Sequence, residues 1–159
     1  MARNGIHTSH IFDTNAATKK HFDLYKQEWE KHKGDLGRIN SGIADPKQGQ
    51  TRHIFIAPTD TEAKVEARSA WQRWCDNINY LWKIGESDNL KYLYDYDTML
   101  ADEKIIVGSP QSVREQVWRA IEVSGINYFI GVFAWGNISH EKAIRTMRYF
   151  VDEVMPSPE

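Results

Sequence analysis

The sequence predicts an α/β fold with parallel strands, and three observations predict it. Short apolar runs alternate with segments of helical period. The connecting segments are long enough to be helical crossovers between parallel strands. The run Tyr128 to Ala134 is apolar without a break, which is the pattern of a strand buried on both faces. With 159 residues, 41% of them apolar, the chain is expected to form a single domain spanning residues 1–159 around a real core.

The elements follow in order. Met1 to Asn4 read as the end of a helix, with Gly5 as its stop, and Ile6 to Phe12 as a strand. Thr14 to Lys33 is a helix carrying Phe22, Tyr25 and Trp29 on one side, with Gly34 at its C′ position. Three glycines and one proline between Asp35 and Gln50 predict a loop, and Arg52 to Ala57 a second strand ended by Pro58. Thr59 and Glu62 have capping-box spacing. The helix they open carries Ala63, Ala67, Ala70, Trp71, Trp74, Ile78, Leu81 and Trp82 on one face. Gly85 to Asp102 reads either as a short helix or as an aromatic-rich loop. Ser109 and Pro110 suit the N-cap and N1 of the next helix, whose inner face is Val113, Val117, Ala120 and Ile121 and whose end is Gly125. Ser139 caps the last helix, with Ala143, Met147, Phe150, Val151 and Val154 inward. Three strands stand out, and such a sheet leaves open edges that invite pairing.

Composition excludes several classes. A net charge of −2 with mixed signs gives no basic groove for nucleic acid. No apolar run approaches the ~20 residues of a membrane span, and no secretory leader opens the chain. Cys75 is alone, so no internal disulfide forms, which fits a reducing cytoplasm; a structural thiol is the favoured reading. Six tryptophans must be buried or face a cleft.

Several residues invite a chemical reading. His7, His10 and Asp13 have metal-like spacing, but strand positions 7 and 10 point to opposite faces and no second donor cluster lies nearby in sequence. No metal site is therefore expected. His10 and Phe12 would close a strand at the end where active sites lie in such folds; a surface or core histidine is the alternative. Gly108-Ser109-Pro110 leads into a helix N-terminus that could hold phosphate, although a cap explains both residues without a ligand. Trp74 fits either core packing or the wall of an aromatic cleft, and Trp135 fits core or pocket equally. No catalytic triad, P-loop or dinucleotide fingerprint is present.

Taken together, Gly5-Ile6-His7 through Thr14-Asn15, the Lys19-Lys20 helix with Asp23-Leu24-Tyr25, Arg52 to Thr59, Trp74-x-Asp76, Val107-Gly108-Ser109-Pro110, Gly125-Ile126-Asn127 and Val154-Met155-Pro156 resemble the C-terminal half of the bacterial luciferase-like flavin monooxygenases. The resemblance implies a partial (β/α)8 TIM barrel, its C-terminal half, with about three parallel strands. A complete barrel typically needs about 250 residues. It implies FMN-dependent monooxygenase chemistry on a small aliphatic substrate, with His10, Phe12 and Trp74 beside the flavin. The family's catalytic histidine and most of its phosphate ligands belong to the first five strands. The catalytic residues are therefore unknown here, and the expectation is a truncated form, inactive and poor at binding FMN by itself. The other readings are a non-catalytic α/β module that associates through its sheet edges, with itself or with a first-half chain, and a small-molecule binding protein without redox chemistry.

Overall fold

The computed structural model describes residues 1–84 and 91–155, so Gly85 to Leu90 of the ambiguous segment and Pro156 of the C-terminal motif lie outside it. The fold is α/β, a parallel sheet flanked by helices. Its strands are β1 (Thr8–Ile11), β2 (Gln48–Ile56), β3 (Ile105–Gly108) and β4 (Tyr128–Val132). Its helices are α1 (Asn15–Lys31), α2 (Asp60–Ile84), α3 (Tyr96–Ala101), α4 (Pro110–Ser124) and α5 (His140–Tyr149). β2 pairs in parallel with β1 from Gln48 to Thr51 and with β3 from His53 to Ile56, and it also pairs with β4. Among the described residues the sheet thus has four strands, one more than the sequence suggests. The added one is Ile-Ile-Val-Gly, too short to show a period but buried along its whole length.

The chain divides into two compact units, Met1–Thr51 with Trp118–Ile130, and Arg52–Val117 with Gly131–Glu159. In the first, α1 covers one face of the β1–β2 ribbon. Thr14 caps the helix by accepting from the Ala17 amide (3.2 Å), and Phe22 and Trp29 are fully buried. β2 begins at Gln48, four residues before the sequence predicts. Glutamine and glycine are poor strand formers, but here the side-chain NH2 groups of Gln48 and Gln50 donate to α1. The Gln48 side chain donates to the Phe22 carbonyl (3.2 Å), and Gln50 donates to Asn15 Oδ1 (3.0 Å) and Thr18 Oγ1 (3.2 Å). Asn127 accepts from the Gln48 amide (2.8 Å) and donates to the Pro46 carbonyl (2.9 Å), pinning the strand's start. The expected stop at Gly34 moves to His32, which caps α1. Residues Ala2–Asn4 form a 3-10 turn closed by left-handed Gly5 (φ 71°), and Asn40 binds its backbone from two sides. The opposite face of this ribbon is open: Ser9 and Ile11 are exposed.

In the second unit, side chains of β2 are buried in both directions. Ile54 meets the backbone of Gly131 beside Phe133, which packs edge-on against Phe150 beyond α5 (5.2 Å). His53 and Phe55 point the other way, where Trp71 and Trp74 of α2 meet His53 and Trp135 meets Phe55 edge-on (6.5 Å). The capping box that opens α2 is present: Thr59 Oγ1 accepts from the Glu62 amide (3.2 Å) and donates to the Glu62 carboxylate (3.0 Å). Its buried stripe is Ala63, Ala67, Ala70, Trp71, Cys75 and Asn79, whereas Leu81 and Trp82 are exposed. Within that stripe Trp71 and Cys75 share one acceptor, the Leu93 carbonyl (2.7 and 3.4 Å). The described part of the ambiguous segment is helical: a 3-10 turn at Lys91–Tyr94 and then α3, with Leu93, Tyr96 and Met99 buried.

Two further expectations shift. β4 is only partly buried, with Tyr128 exposed, and ends at Val132. After α5 the chain widens into a π-helical turn, Phe150–Val154, closed by the Met155 amide on the Phe150 carbonyl (2.9 Å). The wider turn changes the phase, so Val154 is buried while Val151 is exposed.

Candidate functional site

At the exit of β1, in the first unit, Phe12 has a left-handed backbone (φ 63°), a conformation that costs a phenylalanine of order 1–3 kcal/mol and tends to mark functional sites. The turn it makes brings Asp13 back beside the strand. Asp13 Oδ2 lies 2.9 Å from His10 Nδ1 and 3.3 Å from His21 Nδ1, the second histidine arriving from α1. The two imidazoles stack with centroids 4.7 Å apart, and Phe22 meets His10 edge-on (5.3 Å). His10 and Phe12 are therefore neighbours at a strand end, while His7 is separate: its Nδ1 accepts from the Lys47 amide (2.9 Å). The sequence does not reveal His21, because its partners lie across a turn rather than at a fixed spacing.

In the second unit, His53 sits in an aromatic cage. Trp74 (4.7 Å), Trp71 (5.4 Å) and Trp135 (5.7 Å) all present rings at steep angles to its own. Trp71 and Trp74 stack on each other, and the Trp135 indole donates to the Ile54 carbonyl (3.3 Å). Trp71 and Trp135 are core, and Trp74 is partly exposed, so of the three it is the one that reaches a surface. Next to the cage, Phe55, Ala70, Glu66, Asn137 and Lys142 line a cavity of ≈ 380 Å³. Glu66 there holds Lys142 (3.2 Å) and Arg145 (3.6 Å) of α5. His53 carries no motif, but the alternation of β2 already puts it on the face of Phe55.

Burial lowers the His53 pKa from 6.5 to about 4, so it is neutral at pH 7. The unfolded chain binds a proton between those values that the folded chain refuses. Stability from this group is complete above pH 6.5 and falls as pH drops toward 4, by about 3 kcal/mol in total. We expect urea unfolding of the wild type to show this loss between pH 7.5 and 4.5, and His53→Phe to show a shallower dependence. Equal slopes in the two proteins would refute the assignment.

Cys75 is buried, and desolvation raises its pKa to about 12, which makes it a structural thiol. The N-terminus of α4 is already served by the chain's own anion. Asp60 accepts from the Ser109 amide (2.6 Å) and the Ser112 hydroxyl (2.9 Å), and these bonds hold its carboxyl below the usual range. A Cβ on Gly108 would come within 2.9 Å of Asp60 Oδ1, so the glycine admits the carboxylate. The turn therefore does not fit a flavin phosphate, whose dianion would meet Asp60.

The fold defines a class: a parallel α/β half-barrel resembling that of flavin monooxygenases. Particular proteins make the likeness concrete. The chain is similar to the monooxygenase RslO1 from Streptomyces bottropensis, with a TM-score of 0.71 at 18% identity over 98% of this chain and 43% of that one. It is similar to the oxygenating constituent of 3,6-diketocamphane monooxygenase from Pseudomonas putida, a type II Baeyer–Villiger monooxygenase in complex with FMN. The TM-score there is 0.68 at 20% identity, over 99% of this chain and 44% of that one. In sequence it is 26% identical over 110 residues to the uncharacterized protein y4wF of Sinorhizobium fredii, covering 67% of this chain and 32% of that protein. No family model matches. The chain thus spans less than half the length of these proteins. Among the described residues no helix is long and apolar enough to cross a membrane.

Proposed function

We propose that this chain is the second half of a luciferase-like, FMN-dependent monooxygenase barrel acting on a small aliphatic substrate, and that it is inactive until a first half completes the barrel. One observation carries the reading: the fold likeness runs through 98–99% of this chain but reaches only 43–44% of either monooxygenase. Phe12 in the first unit and, independently, Trp74 in the second are the side chains proposed to contact flavin, with His10 beside Phe12 at the strand end. Phe12's left-handed turn and Trp74's partial exposure support that role. Among the described residues β1 pairs with β2 alone, and its other edge supports the need for more strands. The occupied α4 N-terminus means that the phosphate clamp must come from elsewhere.

Flavin titration followed by fluorescence quenching tests this. The chain alone should bind FMN weakly or not at all, and should self-associate in sedimentation. Adding a first-half fragment of a structural neighbour should restore solubility and flavin binding. Stoichiometric binding by the chain alone at low micromolar concentration would overturn the phosphate argument. A monodisperse monomer that unfolds cooperatively would favour the second reading, an independent module without catalysis.

A further inference from the structure

We propose that His10, Asp13 and His21 form a site for a divalent first-row transition-metal ion at the exit of β1. The three side chains come from a strand, a turn and a helix, and one donor atom from each lies within 4.8 Å of the others. The separations from Asp13 Oδ2, 2.9 Å to His10 Nδ1 and 3.3 Å to His21 Nδ1, suit a shared ion. Donors held about 2.0–2.2 Å from one centre in tetrahedral or octahedral geometry are spaced by roughly 3 Å. Two imidazoles and one carboxylate are a borderline donor set that suits zinc, cobalt, nickel or ferrous iron. Magnesium and calcium prefer oxygen ligands alone.

The surroundings agree with a ligand-accessible site. The side chains of His10, Asp13 and His21 are 26%, 33% and 51% exposed, so water can fill the remaining positions on the ion. Phe22 shields His10 at its edge. Lys19, on the same helix, is bound to Asp23 by two contacts of 3.0 and 2.8 Å. The His32 cluster differs in a decisive way. Its Nε2 faces Glu28 (3.5 Å) and its Nδ1 faces Asp35 (2.6 Å), so the two carboxylates address different ring nitrogens and share no centre with the imidazole.

The untagged full chain at pH 7.5 is titrated with Co²⁺ followed by visible absorption, then with Zn²⁺ by calorimetry and thermal shift, in excess Mg²⁺. The expected result is one Co²⁺ per chain with ligand-field bands, displaced by Zn²⁺, and a Tm raised by Zn²⁺. His10→Ala and His21→Ala should each weaken binding by more than the roughly 10–100-fold typical of an outer-shell change. Asp13→Asn should weaken it as well, and His32→Ala should leave it unchanged. Circular dichroism confirms folding, and His21 is exposed enough for its truncation to be tolerated. The proposal is overturned if no ion is taken up in Mg²⁺, or if uptake persists in folded His10→Ala and His21→Ala proteins. In either case Asp13 serves only as a hydrogen-bond bridge between two histidines.

Discussion

Gly136→Ala is expected to destabilise the protein by about 3 kcal/mol or more, enough to threaten folding. Gly136 follows the last strand with φ +59°, and a Cβ there would lie 1.9 Å from the Ala70 carbonyl oxygen and 2.7 Å from its carbon. These are backbone atoms inside α2 and cannot rotate away. Relief would require the loop to lift, taking with it Trp135, whose indole binds the Ile54 carbonyl and closes the cage around His53. Gly125→Ala separates the two causes. That glycine also has positive φ (+67°) but meets nothing within 4 Å, so it should lose only about 1 kcal/mol. Urea unfolding of the two variants measures the difference; equal losses would mean that the close approach to Ala70 is unimportant.

Trp71→Ala should cost about 3–5 kcal/mol. Trp71 is 1% exposed, stacks on Trp74, and donates to the Leu93 carbonyl at 2.7 Å. Truncation would leave a cavity and remove the stronger of the two donors to that carbonyl, with only the weak Cys75 thiol remaining. Trp82→Ala, at 42% exposure on the same helix, should change stability by no more than about 0.5 kcal/mol. Denaturant midpoints for both report the result. A loss at Trp82 as large as that at Trp71 would restore the full apolar stripe read from the sequence and overturn this packing of α2.

The candidate site was legible only in part. Resemblance picked out His10, Phe12 and Trp74, and the structure places the first two at one strand end and the third in an aromatic cage. It adds His21 and His53, which the sequence hides for the same reason. His21 gains meaning from Asp13 across the turn into α1, and His53 from tryptophans on α2 and beyond β4. The phosphate reading of Ser109 could not be decided without Asp60, which lies 49 positions away.

What the sequence by itself determined is local. The Thr59–Glu62 capping box, the Ser139 cap, the Gly5 and Gly125 stops and the parallel α/β class all follow from interactions within a few residues or from the period of apolar side chains. Tertiary structure decided the rest. Gln48, Gly49 and Gln50 join a strand where α1 accepts from the NH2 groups of the two glutamines. Ile105–Gly108 becomes a strand because His53–Ile56 offers it a ladder. On α2, Trp71 and Cys75 are buried where they converge on Leu93, whereas Leu81 and Trp82 lie exposed. In each case a polar or apolar group finds its partner far along the chain, and pairing at that distance leaves no periodic trace in the sequence.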